Sequence, residues 1–376
     1  MKKIIFSIFA SLAFTAFSQQ QEPNVMIIHY NSGNTATVKV ENIHHLEFGV
    51  LDDLSGIEDP QNPGQGGDTE CPEHPDTPEN PDISDLPAPK VGDYYYSDGT
   101  WSDGGLISIN ADGTNAVWAE TKPAPEEGKT VIGIVFSTNP DRIAESEKAA
   151  GFTHGYVIGL KNITDPKKSN YSQYPESVWF AGYYAYTNDL VQINQVSKSA
   201  SSCYANLLGY TETKNMLEKN DPDYYYDDIP MFWYGTTAYP VKAPAGTSGW
   251  FIPSVGQMWD CVANFCSGEV AEFLAANQTS NYDFTYYCSK TNLSTSPYEQ
   301  FAKIFELVPA ADKDEMTIPD NGYLDRKTAT INLATSTRYD DESRVIISLG
   351  MEGCTTVEGM AAWFDEETHA RPILAF

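Results

Sequence analysis

The sequence predicts an α+β domain standing behind a β-hairpin and a proline-rich linker, and three observations carry that expectation. From residue 91 onward, apolar runs of strand length recur without regular alternation with helices. Two well-marked helix starts lie among those runs. Upstream, some forty acidic, proline-studded residues divide this region from a short alternating segment near the N-terminus.

Composition bounds what such a chain can do. It has 376 residues, a formal net charge of −29, 41% hydrophobic residues and 12% aromatic ones. That apolar content supports at least one sizeable core and excludes a disordered acidic tail. The charge repels phosphate backbones, which need Lys and Arg for neutralisation, so nucleic acid is excluded as a partner. The N-terminus, "MKKIIFSIFASLAFTAFSQQQ", offers a basic Lys2-Lys3 pair, an apolar Ile4 to Phe17 and a small-x-small site at Ala16-Phe17-Ser18. Residues 1–18 therefore read as a secretory signal peptide, too short for a spanning helix. No cysteine at the cut indicates a lipid anchor, and no later apolar stretch has the length to span a bilayer. The mature protein is expected to be soluble and exported. Six cysteines in so long a chain do not form a disulfide scaffold, although one or two bridges stay open. Cys71, in the linker, is expected to be unpaired.

Residues 19–50 contain "NVMIIHYNSGNTATVKVENIHHLEF", where apolar and polar residues alternate around Ser32-Gly33-Asn34. Met26, Ile28 and Tyr30 face one way and Ala36, Val38 and Val40 pair back, the signature of a hairpin. Residues 51–90 carry prolines from Pro60 to Pro89 among Asp, Glu, Gly and Gln. They bury too little apolar surface to offset ordering entropy, so a disordered, extended spacer is expected. His74 three residues after Cys71 supplies two ligands at most, which do not make a metal site.

The domain itself is expected over 91–376. "TVIGIVFS" (130–137) and "GYVIGL" (155–160) read as buried strands, as do "ATINLATST", "SRVIISLGM" and the terminal "ARPILAF". "NPDRIAESEKAAG" reads as one short helix stopped by Gly151, and 199–219 shows helical spacing. In "SGWFIPSVGQMWDCVANFCSG", Ser254 and Gln257 form a capping box, and Met258, Val262, Phe265 and Cys266 share a face. Ser296, Pro297 and Glu299 mark a second start.

Together "VGDYYYSDGTW", "IGIVF", "HGYVIGLKN", "GYTETKNML", "SGWFIPSVGQMWD" and "ARPILAF", in this order, resemble the C-type-lectin-like domains of secreted proteins from anaerobic Gram-negative gut bacteria. That group is related to the formylglycine-generating enzyme and the sulfatase-modifying factors, and the N-terminal hairpin resembles a segment common in the same secreted proteins. The resemblance covers about residues 91–376, with insertions around 220–245 and 309–325. It implies a mixed, mainly antiparallel sheet with flanking helices and long loops, in a periplasmic, cell-surface or extracellular protein of a Gram-negative bacterium. "GDYYYSDGTW" would then be the first strand and turn, with Tyr94 to Tyr96 and Trp101 structural, covering the sheet edge where the strand ending at Phe376 returns.

The family tie suggests three activities, and each fails on these residues. A calcium lectin needs a Glu-Pro-Asn or Gln-Pro-Asp loop and a Trp-Asn-Asp strand. "EPN" at Glu22 lies outside the domain, "NPD" at Asn139 starts a helix, and "WND" does not occur. The copper-binding cysteine pair of the oxidase is mimicked by Cys261 and Cys266, but a helix sets these about 140° apart, with Cys266 on the core side. "GTSGW" is not a nucleophile elbow.

What remains is surface recognition. "DPDYYYDDIPMFWYG" (221–235) offers Tyr224, Tyr225, Trp233 and Tyr234 to stack on sugar faces, and Asp227 and Asp228 to accept from hydroxyls; a loop folded over its own scaffold is the alternative. "TRYDDES" (337–343) adds Arg338, Asp340, Asp341 and Glu342 on a second loop. The acidic residues of both are candidates for Ca²⁺, although no fixed spacing marks them as ligands, and no other cofactor is identified. The expected function is non-catalytic binding of a glycan or protein partner. A divergent enzyme on the same scaffold, and a structural or adhesin component of a surface assembly, are the alternatives.

Overall fold

The computed structural model describes residues 25–29, 35–39, 83, 86–166, 178–182, 185, 191, 193–315, 330–351, 355–364 and 368–376. The expected signal peptide, nearly all of the linker, Cys71 and Cys354 lie outside the described residues. The chain divides into two units, Met1–Pro72 and Glu73–Phe376. In the first, β1 (Val25–His29) and β2 (Thr35–Lys39) pair antiparallel, with Met26 opposite Val38 and Ile28 opposite Ala36.

The second unit is a mixed α+β fold. Its strands are β3 (Tyr94–Tyr96), β4 (Trp101–Ser102), β5 (Leu106–Ser108), β6 (Val117–Trp118), β7 (Val131–Ser137) and β8 (Tyr156–Gly159). They continue as β9 (Ser289–Lys290), β10 (Thr330–Arg338), β11 (Ser343–Gly350), β12 (Val357–Trp363) and β13 (Ile373–Ala375). Two antiparallel sheets dominate, in the orders β13-β8-β7-β3-β4 and β10-β11-β12-β9, and β5 pairs with β6 separately. Alternation along the strands sorts side chains between two apolar clusters. Tyr94, Tyr96, Ile134, Phe136 and Ile158 join one; Tyr95, Val135, Val157 and Leu374 join the other. Both faces of this sheet are thus covered, which is why β7 reads as an unbroken apolar run.

The aromatic restart at residue 94 is structural, with Tyr94 to Tyr96 at most 1% exposed. Asp98 Oδ1 accepts from the Thr100 backbone N–H at 2.9 Å, and Gly99 takes the positive φ, 82°, that the reversal needs. The last strand does not return beside this hairpin as expected. β13 pairs with β8 at the far edge, and only the Phe376 ring beyond it reaches across, 4.9 Å from Tyr95 and 5.5 Å from Trp101. Described residues ahead of 91 also contact this unit: Ile83 and Leu86 pack on the second cluster, and Trp101 Nε1 donates to the Pro87 carbonyl at 2.8 Å.

Helix Val255–Cys266 lies against both sheets, touching β7 on one side and β10 and β11 on the other. The expected amphipathic stripe is wrong in one respect: every residue of this helix is buried, polar ones included. Its start is as expected, with Gln257 Oε1 accepting from the Ser254 backbone N–H at 2.9 Å while Ser254 Oγ donates to the Asn206 carbonyl at 2.7 Å. Further along, Asp260 takes Arg142 Nε at 2.8 and 3.1 Å, and Asn264 Nδ2 donates to the Phe136 carbonyl at 2.7 Å. The Arg142 guanidinium also stacks 3.7 Å over the Tyr204 ring.

These anchors explain two further departures. Drawing Arg142 inward splits the helix expected after Asn139 into a 3₁₀ turn, Pro140–Arg142, and a helix, Glu145–Ala149. Asn206, whose carbonyl faces the Ser254 cap, splits 199–219 into Ala200–Ala205 and Gly209–Lys219. A Cβ at Gly256 would sit 2.2 Å from that same carbonyl, so only glycine lets the backbones approach.

Glu212 is buried beneath β10 without a cation, taking hydrogen bonds from Ser336 Oγ and Asn206 Nδ2. Burial pushes its pKa up to about 7. A carboxyl raised this way contributes stability that is complete below its unfolded pKa, near 4.5, and lost as pH rises through about 7. Glu212→Gln should therefore raise stability at pH 8 by on the order of 2–3 kcal/mol and leave it unchanged near pH 4. Urea melts across that range check this; an equal effect at both pH values refutes it. Ser254→Ala should cost about 0.5–2 kcal/mol, and Met258→Asp, which buries an unpaired charge, considerably more. Identical melting of the two variants at the wild-type temperature would show that the helix is not docked in this way.

Candidate binding surface

The segment 221–235, expected as a loop either presenting its rings or folded over its own scaffold, folds as three short helical pieces. Asp221 caps the first, Pro222–Tyr224, by accepting from Asp223 N at 3.0 Å. Tyr225–Asp228 and Pro230–Gly235 follow, the last with its proline at the first helical position. Helix formation turns some of the expected ligand-binding groups inward. Tyr225 is 9% exposed and its hydroxyl donates to the Leu217 carbonyl; Asp228 is 7% exposed. Burial, then Asp227 and Asp221, raise the Asp228 pKa. Trp233 is half-buried, its ring 5.5 Å from that of Tyr225. Tyr234 is also half-buried, its pKa pushed up to about 12 by burial and by Asp165, to which it is hydrogen-bonded. Tyr224 and Asp227 remain exposed.

Residues 338–343 form the turn between β10 and β11, and its polar groups largely bind one another. Arg338 Nε donates to the Asp340 carbonyl at 2.9 Å, Nη2 to Asp341 Oδ1 at 2.9 Å, and Nη1 to the Val191 and Ile193 carbonyls at 3.4 Å. Asp340 Oδ1 accepts from Ser343 Oγ at 2.6 Å and Glu342 N at 3.0 Å. Burial works to raise the Asp340 pKa, but those hydrogen bonds outweigh it and hold the carboxyl below its usual value. Asp341 and Glu342 stay exposed.

Among the described residues no hydrogen bond, ion pair or ring contact joins the two segments directly. They are linked through the core: Glu342 O accepts from Phe364 N at 2.9 Å, Phe364 stacks 4.8 Å from Phe180, and Phe180 lies 5.1 Å from Phe232. The neighbour of the 338–343 turn is instead the segment 282–287. Tyr339 Oη donates to Asp283 Oδ2 at 3.2 Å beneath Lys198, whose Nζ sits 3.8 Å over the Tyr339 ring. Here Tyr282, Tyr286 and Tyr287 are 71%, 74% and 73% exposed, the most open large aromatics among the described residues. Phe284 between them points inward, 4.9 Å from Trp259, so the segment is anchored by one ring and offers three. Sequence reading passed over this cluster, although "NYDFTYYC" carries the signal: a capping Asp283, one residue facing in and tyrosines around it.

The reactive groups weighed from the sequence are sequestered. Cys261 and Cys266 both lie in the core, as small buried hydrophobes. Burial pushes both thiols well up, away from the thiolate form that binds metal. Cys203 and Cys288 are likewise buried free thiols. Among the described residues, no three His, Cys, Asp or Glu side chains are grouped to hold a metal ion, and no helix is long and apolar enough to cross a membrane.

No family model matches the chain. A protein of Bacteroides ovatus described as a fimbrium tip subunit, Fim1C, is 25% identical over 190 residues, covering 45% of this chain and 32% of that protein. The chain thus spans about a third of the length of that relative. A crystal structure of a fimbrial protein, also from Bacteroides ovatus, aligns with 76% of this chain and 49% of that one, at 16% identity and a TM-score of 0.36. So low a score does not assign a fold.

Exposure sets the expected outcome of substitution. Trp233→Ala, which uncovers Tyr225, should lower stability by about 1–3 kcal/mol, less than a fully buried tryptophan would cost. Tyr286→Ala should leave the melting temperature within error. Reversal of that order in thermal melts would overturn the placement of both rings.

Proposed function

We propose that this chain is a non-catalytic subunit of a fimbrial-type surface assembly and acts as an adhesin. The observation that carries the reading is the sequence similarity to a protein described as a fimbrium tip subunit. Export ahead of such a role is in keeping with the basic and apolar N-terminal residues of the signal-peptide reading. The C-type-lectin-like reading of residues 91–376 belongs to the same proposal, supported by the order of its sequence motifs. Its ligand in this proposal is a glycan, held by the exposed rings of Tyr282, Tyr286 and Tyr287 beside the carboxylates of Asp341 and Glu342. Exposed tyrosines present a flat apolar face with a polar tip, and carboxylates accept from sugar hydroxyls. Tyr224 and Asp227 keep open side chains and form a second contact in this reading. Arg338, Asp340, Tyr225 and Asp228 serve the scaffold.

Two measurements test the reading. Surface appendages sheared from the producing cells should carry the chain, and its recovery only from the cell interior would refute the assembly role. A glycan array, run with and without calcium, should return a ligand whose affinity falls roughly tenfold, about 1.4 kcal/mol, in a Tyr286→Ala/Tyr287→Ala variant of unchanged melting temperature. Undiminished binding by that variant would move the site elsewhere.

A further inference from the structure

Arg371 lies just ahead of β13 and is 4% exposed. Its Nε donates to Asn162 Oδ1 at 3.0 Å and its Nη2 to the Asp314 carbonyl at 2.6 Å. Among the described residues Nη1 has no partner and no carboxylate comes within ion-pair distance of the guanidinium, although Asp314 attracts it from nearby. The neighbouring acid, Asp314, is committed elsewhere: Oδ1 takes Lys161 Nζ at 3.1 Å and Oδ2 takes the Asn162 backbone N–H at 3.0 Å. A charge withdrawn from water without a direct ion pair is costly. Such an arrangement calls for an anion.

Space for one is present. A cavity of about 280 Å³ opens beside Arg371, lined by Tyr298, Phe301, Ala302 and Phe305 and by Lys313, Asp314 and Glu315. The guanidinium stands 5.2 Å from the centre of the Phe305 ring, so aromatic carbon surrounds the cation. Lys313 Nζ, donating to the Phe305 carbonyl at 2.7 Å, places a second positive charge on the wall. The volume lies at the small end of ligand pockets. A planar guanidinium with a free edge matches a carboxylate in shape and donor spacing. Glu315, exposed at the mouth, disfavours ligands of higher charge.

We propose that this cavity binds a small organic monocarboxylate, its acid group on Arg371 and Lys313 and its body against Phe301, Phe305 and Tyr298. The site is separate from the tyrosine surface and does not depend on the adhesin reading. Tyrosine-surface variants should leave it intact.

The test titrates the full chain with glucuronate and benzoate, against glucose and benzyl alcohol as neutral counterparts, by calorimetry and thermal melting. The acids should bind saturably and raise the melting temperature, since ligands that bind only the folded state stabilise it; the neutral compounds should do neither. Ala302→Phe fills the cavity without touching Arg371. It should weaken acid binding at least roughly tenfold while the unliganded melting temperature stays within a few degrees. Lys313→Gln should weaken it severalfold and less than Ala302→Phe. The proposal is overturned if no acid binds at roughly 10 mM, if the neutral compounds bind as well, or if Ala302→Phe keeps wild-type affinity. Equal or tighter binding of sulfate would replace the carboxylate assignment with a general anion site.

Discussion

A helix with no solvent face governs the rest of this structure. Val255–Cys266 is covered on all sides, so its polar side chains depend on partners within the protein; Gln257, Asp260 and Asn264 find them, and Trp259 Nε1 has none among the described residues. Those partners come largely from distant parts of the chain: Arg142 for Asp260, the Phe136 carbonyl for Asn264 and Glu147 for Gln257, which also takes the N–H of its own cap, Ser254. Each fixes something beyond itself. Arg142 bends the chain after β7, Asn206 interrupts the helical run before 209, and Thr337 Oγ1 accepts from Val255 N at 2.9 Å, tying β10 to the helix start. The polar contacts of one element thereby set the positions of both sheets.

The same arrangement leaves ionisable groups in the interior. Asp260 is raised to about 6 by burial even with Arg142 against it, and Glu147, buried beside Tyr156 and Ser146, is raised for the same first reason. Desolvation outweighs attraction at Asp260, the expected balance for a fully enclosed pair. The exposed aromatic and acidic side chains described above lie instead on short turns and helix ends, at Tyr224, Asp227, Tyr282, Tyr286, Tyr287, Asp341 and Glu342.

How much of this was legible depended on how local the signal was. Ser254 with Gln257, and Ser296 with Pro297, are start signals contained within four residues, and both helices start where those residues place them. β7 and β11 showed themselves as apolar runs because both of their faces are covered. The pairing of Arg142 with Asp260 spans 118 residues, and no pattern near either residue announces it. Residues 221–235 were read as a loop for their mix of rings and carboxylates, although the prolines at 222 and 230 also favour the first turn of a helix. Burial of Tyr225 followed from that folding. The 282–287 tyrosines were missed for the opposite reason: one inward residue, Phe284, positions them, and a stretch so short carries no periodicity.

The position of β13 has a kinetic consequence. Ile373–Ala375 pairs with Tyr156–Ile158, Phe251 bonds Ile373 in both directions, and the Phe376 ring closes over Tyr95 and Trp101. Residues from the two ends of the folded unit therefore complete a single sheet. Until the final few residues arrive, β8 keeps an unpaired edge and Tyr95 an uncovered face, and the loop-closure entropy of some 200–280 residues has yet to be offset. Pairing across so long a stretch of chain is the kind that slows folding, and without it the β8 edge is left open to pair with another chain.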